Sequence, residues 1–245
     1  MLRLLLAVAC LAAGTASAVE DPYPWIAAAY VVKRDGALLW AGSAERRLAP
    51  ASLTKMMTAL LALERGRLDA TVKVGRGVLQ ATGTRIGLKP GERLTAGDLL
   101  TATVVRSAND ACRALAEHLG VSSKEFVVKM NQRAGALGLA NTRFADPCGH
   151  DRDGQYTSAA DLARLERVTI RTLGGRSFAL RNTNALLGRY PGAIGLKTGY
   201  TEGAGHCLVA LAERDGVRVL AVLLNAPNRW WNSVGLLDRA FAAPR

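Results

Sequence analysis

The sequence predicts an α/β (α+β) fold, a mainly antiparallel sheet built from both ends of the chain with a helical lobe between them. Three observations carry this. Strand-like apolar runs bracket tight turn signals near the two ends, helical periodicity fills the middle, and no repeat, low-complexity tract or linker divides the chain. With 245 residues, 49% of them hydrophobic, a large core can form, and general disorder is excluded.

Residues 1–18 read as a removable leader: Arg3 is basic, Leu4 to Ala13 is a short apolar run, and Ala16-Ser17-Ala18 is a small-x-small cleavage site. That run is too short to cross a bilayer, which takes about twenty residues as a helix. Ala7-Val8-Ala9 before Cys10 makes a poor lipoprotein signal. The expectation is a chain secreted across the inner membrane, periplasmic or extracellular, with no transmembrane anchor. Residues 19–245 are expected to form a single domain.

Ile26 to Val32 and Leu38 to Ala41 flank Arg34-Asp35-Gly36 and predict a hairpin. After Pro50, residues 51–64 show helical spacing, closed by Gly66. Three helix starts follow as hydroxyl-and-acid pairs three residues apart: Thr95 with Asp98, Ser122 with Glu125, and Ser158 with Asp161. Cys207 to Ala212 and Val217 to Asn225, around Arg214-Asp215-Gly216, predict a second hairpin, and residues 230–241 a last helix. A cleft between sheet and lobe is the natural place for a site.

Without Cys10 three cysteines remain, Cys112, Cys148 and Cys207, an odd number that leaves at least one free thiol and no disulfide framework. Cys112 and Cys207 lie in apolar runs and are expected to be buried as small hydrophobes. No His, Cys or carboxylate spacing suits a zinc site, so no metal or other cofactor is expected. The net charge of +12 draws polyanions. Wall polymers and lipid headgroups are the expected neighbours of an exported chain, and nucleic acid is not; the same arginine usage also follows from source-genome composition.

Ser52-Leu53-Thr54-Lys55 sets a hydroxyl and an amine three positions apart at the head of a helix, on one face. A lysine in a partly apolar cleft beside another cation loses preference for its charge and can take a serine proton. Free N–H groups at the helix start can stabilise an oxyanion. Alone, the motif is weak and reads first as a helix-capping serine with a solvated lysine. Ser107-Ala108-Asn109 stands at a junction of two helices, where Ser107 can pass a proton to a leaving amine and Asn109 can hold a carbonyl; it also reads as an N-cap. Lys197-Thr198-Gly199 lies on a strand expected to face the cleft, with a cation, a hydroxyl donor and a position without a side chain. Its plain alternative is an edge strand with a solvated lysine.

Together, in this order, the three motifs mark penicillin-recognising serine enzymes. The chain resembles the D-alanyl-D-alanine carboxypeptidases among the low-molecular-mass penicillin-binding proteins, from about Trp25 to Phe241. Supporting stretches are Ala49 to Lys55, Gly87-Leu88-Lys89-Pro90-Gly91-Glu92, Ser107 to Ala111, Asn141-Thr142-Arg143-Phe144 and Gly195 to Gly205. The resemblance implies the β-lactamase-like fold of serine D,D-peptidases, with Ser52 as nucleophile, Lys55 as its base, and Ser107 passing a proton to departing D-alanine. It implies Asn109, Lys197, Thr198, Gly199 and Tyr200 as substrate-binding residues, with the Ser52 and Tyr200 N–H groups as the oxyanion hole. Arg229 stands where the family often has an arginine and is expected to assist carboxylate recognition.

The implied partners are peptidoglycan pentapeptide stems, with β-lactams as inhibitors. Cys148 departs from the family, whose equivalent stretch usually reads Asn-Pro-His-Gly, and the displaced His150 is expected to be structural. Many relatives carry a further β-rich domain and an amphipathic anchor; with the chain ending at Arg245, attachment by that route is not expected. The nearest rival activity is a D,D-endopeptidase cutting wall cross-links. A β-lactamase is disfavoured by the lack of an acidic residue in the setting that drives deacylation there. A non-catalytic wall-binding protein has no use for Ser52, Lys55, Ser107, Asn109, Lys197 and Thr198 together.

Overall fold

Residues 21–165 and 183–244 are described by a computed structural model of the chain; the expected leader lies outside them. In chain order the elements are β1 (Ala29–Arg34), β2 (Ala37–Gly42), a 3-10 turn (Ala51–Thr54) running into α1 (Lys55–Arg65), β3 (Thr71–Lys73) and β4 (Arg93–Thr95). Then come α2 (Ala96–Val105), α3 (Asn109–Gly120), α4 (Ser123–Ala136), β5 (Ala193–Thr201), β6 (Gly205–Arg214), β7 (Val217–Leu224) and α5 (Arg229–Ala242).

The main sheet runs β2-β1-β7-β6-β5, antiparallel throughout, so the two ends of the chain meet where β1 pairs with β7. Both predicted hairpins form. Each turns on an Asp-Gly pair with positive φ, Asp35 and Gly36 in the first and Asp215 and Gly216 in the second, the backbone that matches a tight turn to strand twist.

Both faces of the sheet are buried, so its central strands read as continuous apolar runs although alternate residues point to opposite sides. Cys207, Val209 and Leu211 of β6, with Leu220, Val222 and Leu224 of β7, join the core shared with α1, α2 and α3. Leu208, Ala210 and Ala212, with Val219, Ala221 and Leu223, pack against Leu236, Leu237 and Ala240 of α5. α1 is buried on nearly every side, from Lys55 through Leu60 and Ala62, as suits the central helix of the lobe.

The predicted helix starts are in place. Thr95, Ser122 and Ser158 each accept the backbone N–H of the acid three residues on, at 3.0, 3.2 and 3.2 Å. One expectation is corrected: Cys112 is not a reduced buried thiol but is bonded to Cys148, 36 residues away. Closing a loop of that length removes about 4 kcal/mol of unfolded-chain entropy. Three cysteines always leave one over, and the packing of α3 on the segment around Cys148 decides which; Cys207 is the buried free thiol.

Candidate active site

The lobe presents Ser52 on the 3-10 turn and Lys55 at the first residue of α1. Ala51, just before the serine, has φ of 47°, a left-handed conformation costing an L-residue roughly 1–2 kcal/mol. Lys55 Nζ lies 2.9 Å from Ser52 Oγ. It also donates to Asn109 Oδ1 at 2.7 Å and to the Cys148 carbonyl. Complete burial pushes this amine down to about 7, against a smaller upward pull from the Asp146 carboxylate. At neutral pH a large share of Lys55 is therefore an uncharged base, as proton abstraction requires.

The second contributor is the α2–α3 junction. α2 ends at Val105, and Ser107 turns the chain with φ of 58°, a strained backbone of the kind that gathers at functional sites. α3 then starts at Asn109, whose Nδ2 donates to the Thr82 carbonyl at 2.6 Å while its Oδ1 faces Lys55. Buried Asp110 accepts N–H bonds from Ile86, Gly87 and Leu88, which ties the Gly87–Glu92 stretch to the head of α3.

From the sheet side, β5 contributes Lys197. Its Nζ donates to Ser107 Oγ at 2.8 Å and to the Thr198 carbonyl at 2.7 Å. Burial, then the neighbouring Lys55 and Arg229, pushes this amine well below the ordinary lysine range. The two amines thus resist carrying full charge together, and an anion beside Lys197 would relieve that strain. Thr198 Oγ1 shares a hydrogen bond with Thr183 Oγ1 at 3.0 Å. Gly199 passes against Ser52: a β-carbon there would come within 3.1 Å of Ser52 N and 3.0 Å of Ala51 Cβ. Tyr200 is 58% exposed, its ring 4.8 Å from that of His206.

Ser52, Lys55 and Asn109 form one hydrogen-bonded group and Ser107 and Lys197 a second; the two are close enough for the Lys55 charge to act on Lys197, with Thr198 and Gly199 beside them. Arg229 is placed differently. Its Nη1 donates to the Gly199 and Cys207 carbonyls at 2.6 and 3.3 Å, and its guanidinium stacks over Trp230. It braces β5 from behind, and its charge acts on Lys197.

Sequence reasoning missed Asp146. Burial would raise this carboxyl, but hydrogen bonds from the His150 ring and from backbone N–H groups outweigh it and hold the group at about 2. Oδ1 accepts from the Cys148, Gly149 and His150 N–H groups at 2.8, 2.7 and 3.1 Å. The His150 ring lies against the same carboxylate, its Nδ1 3.1 Å from that oxygen. The signal was legible as a turn, Asp-Pro-Cys-Gly, but not as a wall of the site. Among the described residues no cluster could hold a metal ion.

Solved structures that this chain resembles include penicillin-binding proteins and D,D-peptidases. The D-alanyl-D-alanine carboxypeptidase DacD of Francisella tularensis superposes with a TM-score of 0.84 at 28% identity, over 91% of this chain and 72% of that one. A penicillin-binding protein of Listeria monocytogenes, solved with ampicillin bound, superposes at 0.78 with 29% identity, over 91% of this chain and all of that one. The fold is therefore the mixed helix-and-sheet fold of that class. Residues 18–228 match the D-alanyl-D-alanine carboxypeptidase family model, and the chain belongs to that family. It is 40% identical over 220 residues to the D-alanyl-D-alanine carboxypeptidase DacF of Bacillus subtilis, covering 81% of this chain but 57% of that protein.

Proposed function

We propose that the protein is an exported serine-type D-Ala-D-Ala carboxypeptidase that trims peptidoglycan pentapeptide stems and is acylated by penicillins. The observation that carries this reading is the buried Lys55 amine, held at 2.9 Å from Ser52 Oγ while Lys197 reaches Ser107 from the opposite wall. Lys55 takes the Ser52 proton as Oγ attacks the carbonyl of the penultimate D-alanine. The oxyanion is met by the Ser52 and Tyr200 N–H groups, and Gly199 leaves room for the acyl carbon beside Ser52. The peptide C–N bond breaks, the departing amine takes a proton through Ser107, and water then hydrolyses the ester. Asn109 orients both Lys55 and the substrate. Lys197 and Thr198 bind the terminal carboxylate, whose charge compensates the crowded amines. Arg229 contributes at second hand, by positioning β5 and adding positive potential.

Export is supported by the leader-like residues 1–18 and by the Cys112–Cys148 bond, which suits an oxidising compartment. Edman sequencing of protein recovered outside the cytoplasm should begin after Ala18; an intact Met1 there would sink the leader reading. The site is tested by intact-protein mass after penicillin exposure. One covalent adduct is expected on the protein and none on Ser52→Ala, with D-alanine released from an uncross-linked pentapeptide. An adduct persisting on Ser52→Ala would overturn the assignment, and consumption of cross-linked dimers alone would favour an endopeptidase.

A further inference from the structure

Lys55 is surrounded by three partners, and their chemistry differs. Ser52 Oγ can give or accept a hydrogen, whereas Asn109 Oδ1 and the Cys148 carbonyl can only accept. A neutral amine has two N–H hydrogens and one lone pair. With both hydrogens taken by the two obligate acceptors, the lone pair is left for Ser52 Oγ, 2.9 Å away. The two acceptors therefore aim the base.

They come from separate segments of chain. Asn109 opens α3, and Cys148 lies in the turn ordered by Asp146. The segments are joined covalently, since Cys112 sits one helical turn after Asn109 and is bonded to Cys148 itself. Both cysteines are buried, at 0% and 1% exposure. The turn has other moorings: Thr58 of α1 donates to the Pro147 carbonyl at 2.6 Å, and the Gln155 side chain accepts from the Ala145 and Asp146 N–H groups. The Thr58 bond holds the turn against α1, the Gln155 bonds hold it to the segment that follows, and none of them ties it to α3.

We infer that the Cys112–Cys148 disulfide is a positioning element for the base: it fixes the Cys148 carbonyl relative to Asn109, so that the Lys55 lone pair stays directed at Ser52. The inference rests on the proposed role of Lys55 as the base for Ser52. The charged groups facing Lys55 are Asp146 from the turn and Lys197 from β5, with Arg229 behind Lys197. Loosening the turn admits water, which favours the ammonium.

The test compares the oxidised protein with Cys112→Ala/Cys148→Ala and with wild-type protein refolded under dithiothreitol. In the latter the dithiol gives two electrons and two protons to the bond, leaving two thiols and a cyclic disulfide. Acylation by a fluorescent penicillin is followed as a function of pH, with near-ultraviolet circular dichroism reporting the fold. Misplacing a reacting group by an ångström costs on the order of 100-fold in rate. A drop of about 10- to 100-fold is expected in both bond-free proteins, with the rising limb of the pH profile moved above its oxidised midpoint and the fold retained. An unchanged rate and profile would overturn the inference, as would loss of the native dichroism in both bond-free proteins, because the bond would then serve the fold and not the base. Failure of the oxidised protein itself to acylate would instead count against the proposed function.

Discussion

Lys55 and Lys197 are both buried amines at one site, but the walls that hold them are built differently. The Lys55 wall is a patchwork: a strained residue before the serine, the head of α3, and a turn ordered by Asp146 and bonded to α3 through Cys112–Cys148. The Lys197 wall is a regular strand, paired residue by residue with β6 from Lys197–Val209 to Thr201–Gly205 and braced by Arg229. Precision is needed more on the Lys55 side. A base must present a lone pair in one direction, which takes several acceptors from several segments. A cation that attracts a carboxylate needs only to be near, and a strand suffices.

The largest effect is expected at Lys55. Lys55→Met removes the proposed base and should lower acylation by about 10²- to 10⁴-fold, the usual worth of a positioned acid or base. Stopped-flow acylation measures this, and a loss under tenfold would mean that another group takes the Ser52 proton. Lys197→Ala should cost less, about 10- to 100-fold, the worth of one charge-assisted hydrogen bond. That loss should appear with a peptide ending in a carboxylate and largely vanish with the matching carboxamide; equal losses on both would show that Lys197 acts through Ser107 instead.

The smallest effect concerns pH. In the wild type, acylation should rise with pH through about 7 as Lys55 sheds its proton. Asp146 pulls the Lys55 value upward, so Asp146→Asn, which keeps an oxygen to accept the turn's N–H groups, should move that rising limb to lower pH. The size is under tenfold at any one pH, and a shift to higher pH would contradict the electrostatic role given to Asp146. Stability carries the same sign for Lys55. Its value is depressed in the fold, so the unfolded chain binds more protons between about 7 and the ordinary lysine range, and stability rises with pH across that window. For Asp146 the stabilisation is present above the ordinary aspartate range and is lost as pH falls toward about 2.

Much of this was legible in the linear chain. Asp-Gly pairs between apolar runs announced both hairpins, and hydroxyl-acid pairs announced three helix starts, because turns and caps are decided by residues within a few positions of one another. Ser52 and Lys55 are likewise local, one helical turn apart. The motifs around Ser107 and Lys197 could be recognised as types but not assembled by spacing, since their contacts span about ninety residues.

Read along the chain, the residues gave both terminal hairpins, the helix after Pro50, three further helix starts, the last helix and the chemistry available at each motif, but not the short β3–β4 pair. Packing across the folded chain settles which of three cysteines stays single, that Arg229 braces the β5 backbone, and that Asp146 and the Cys148 carbonyl face Lys55. The reason is physical: burial and long-range contact depend on how finished elements pack, and it is burial that takes the charge from a lysine and makes it a base.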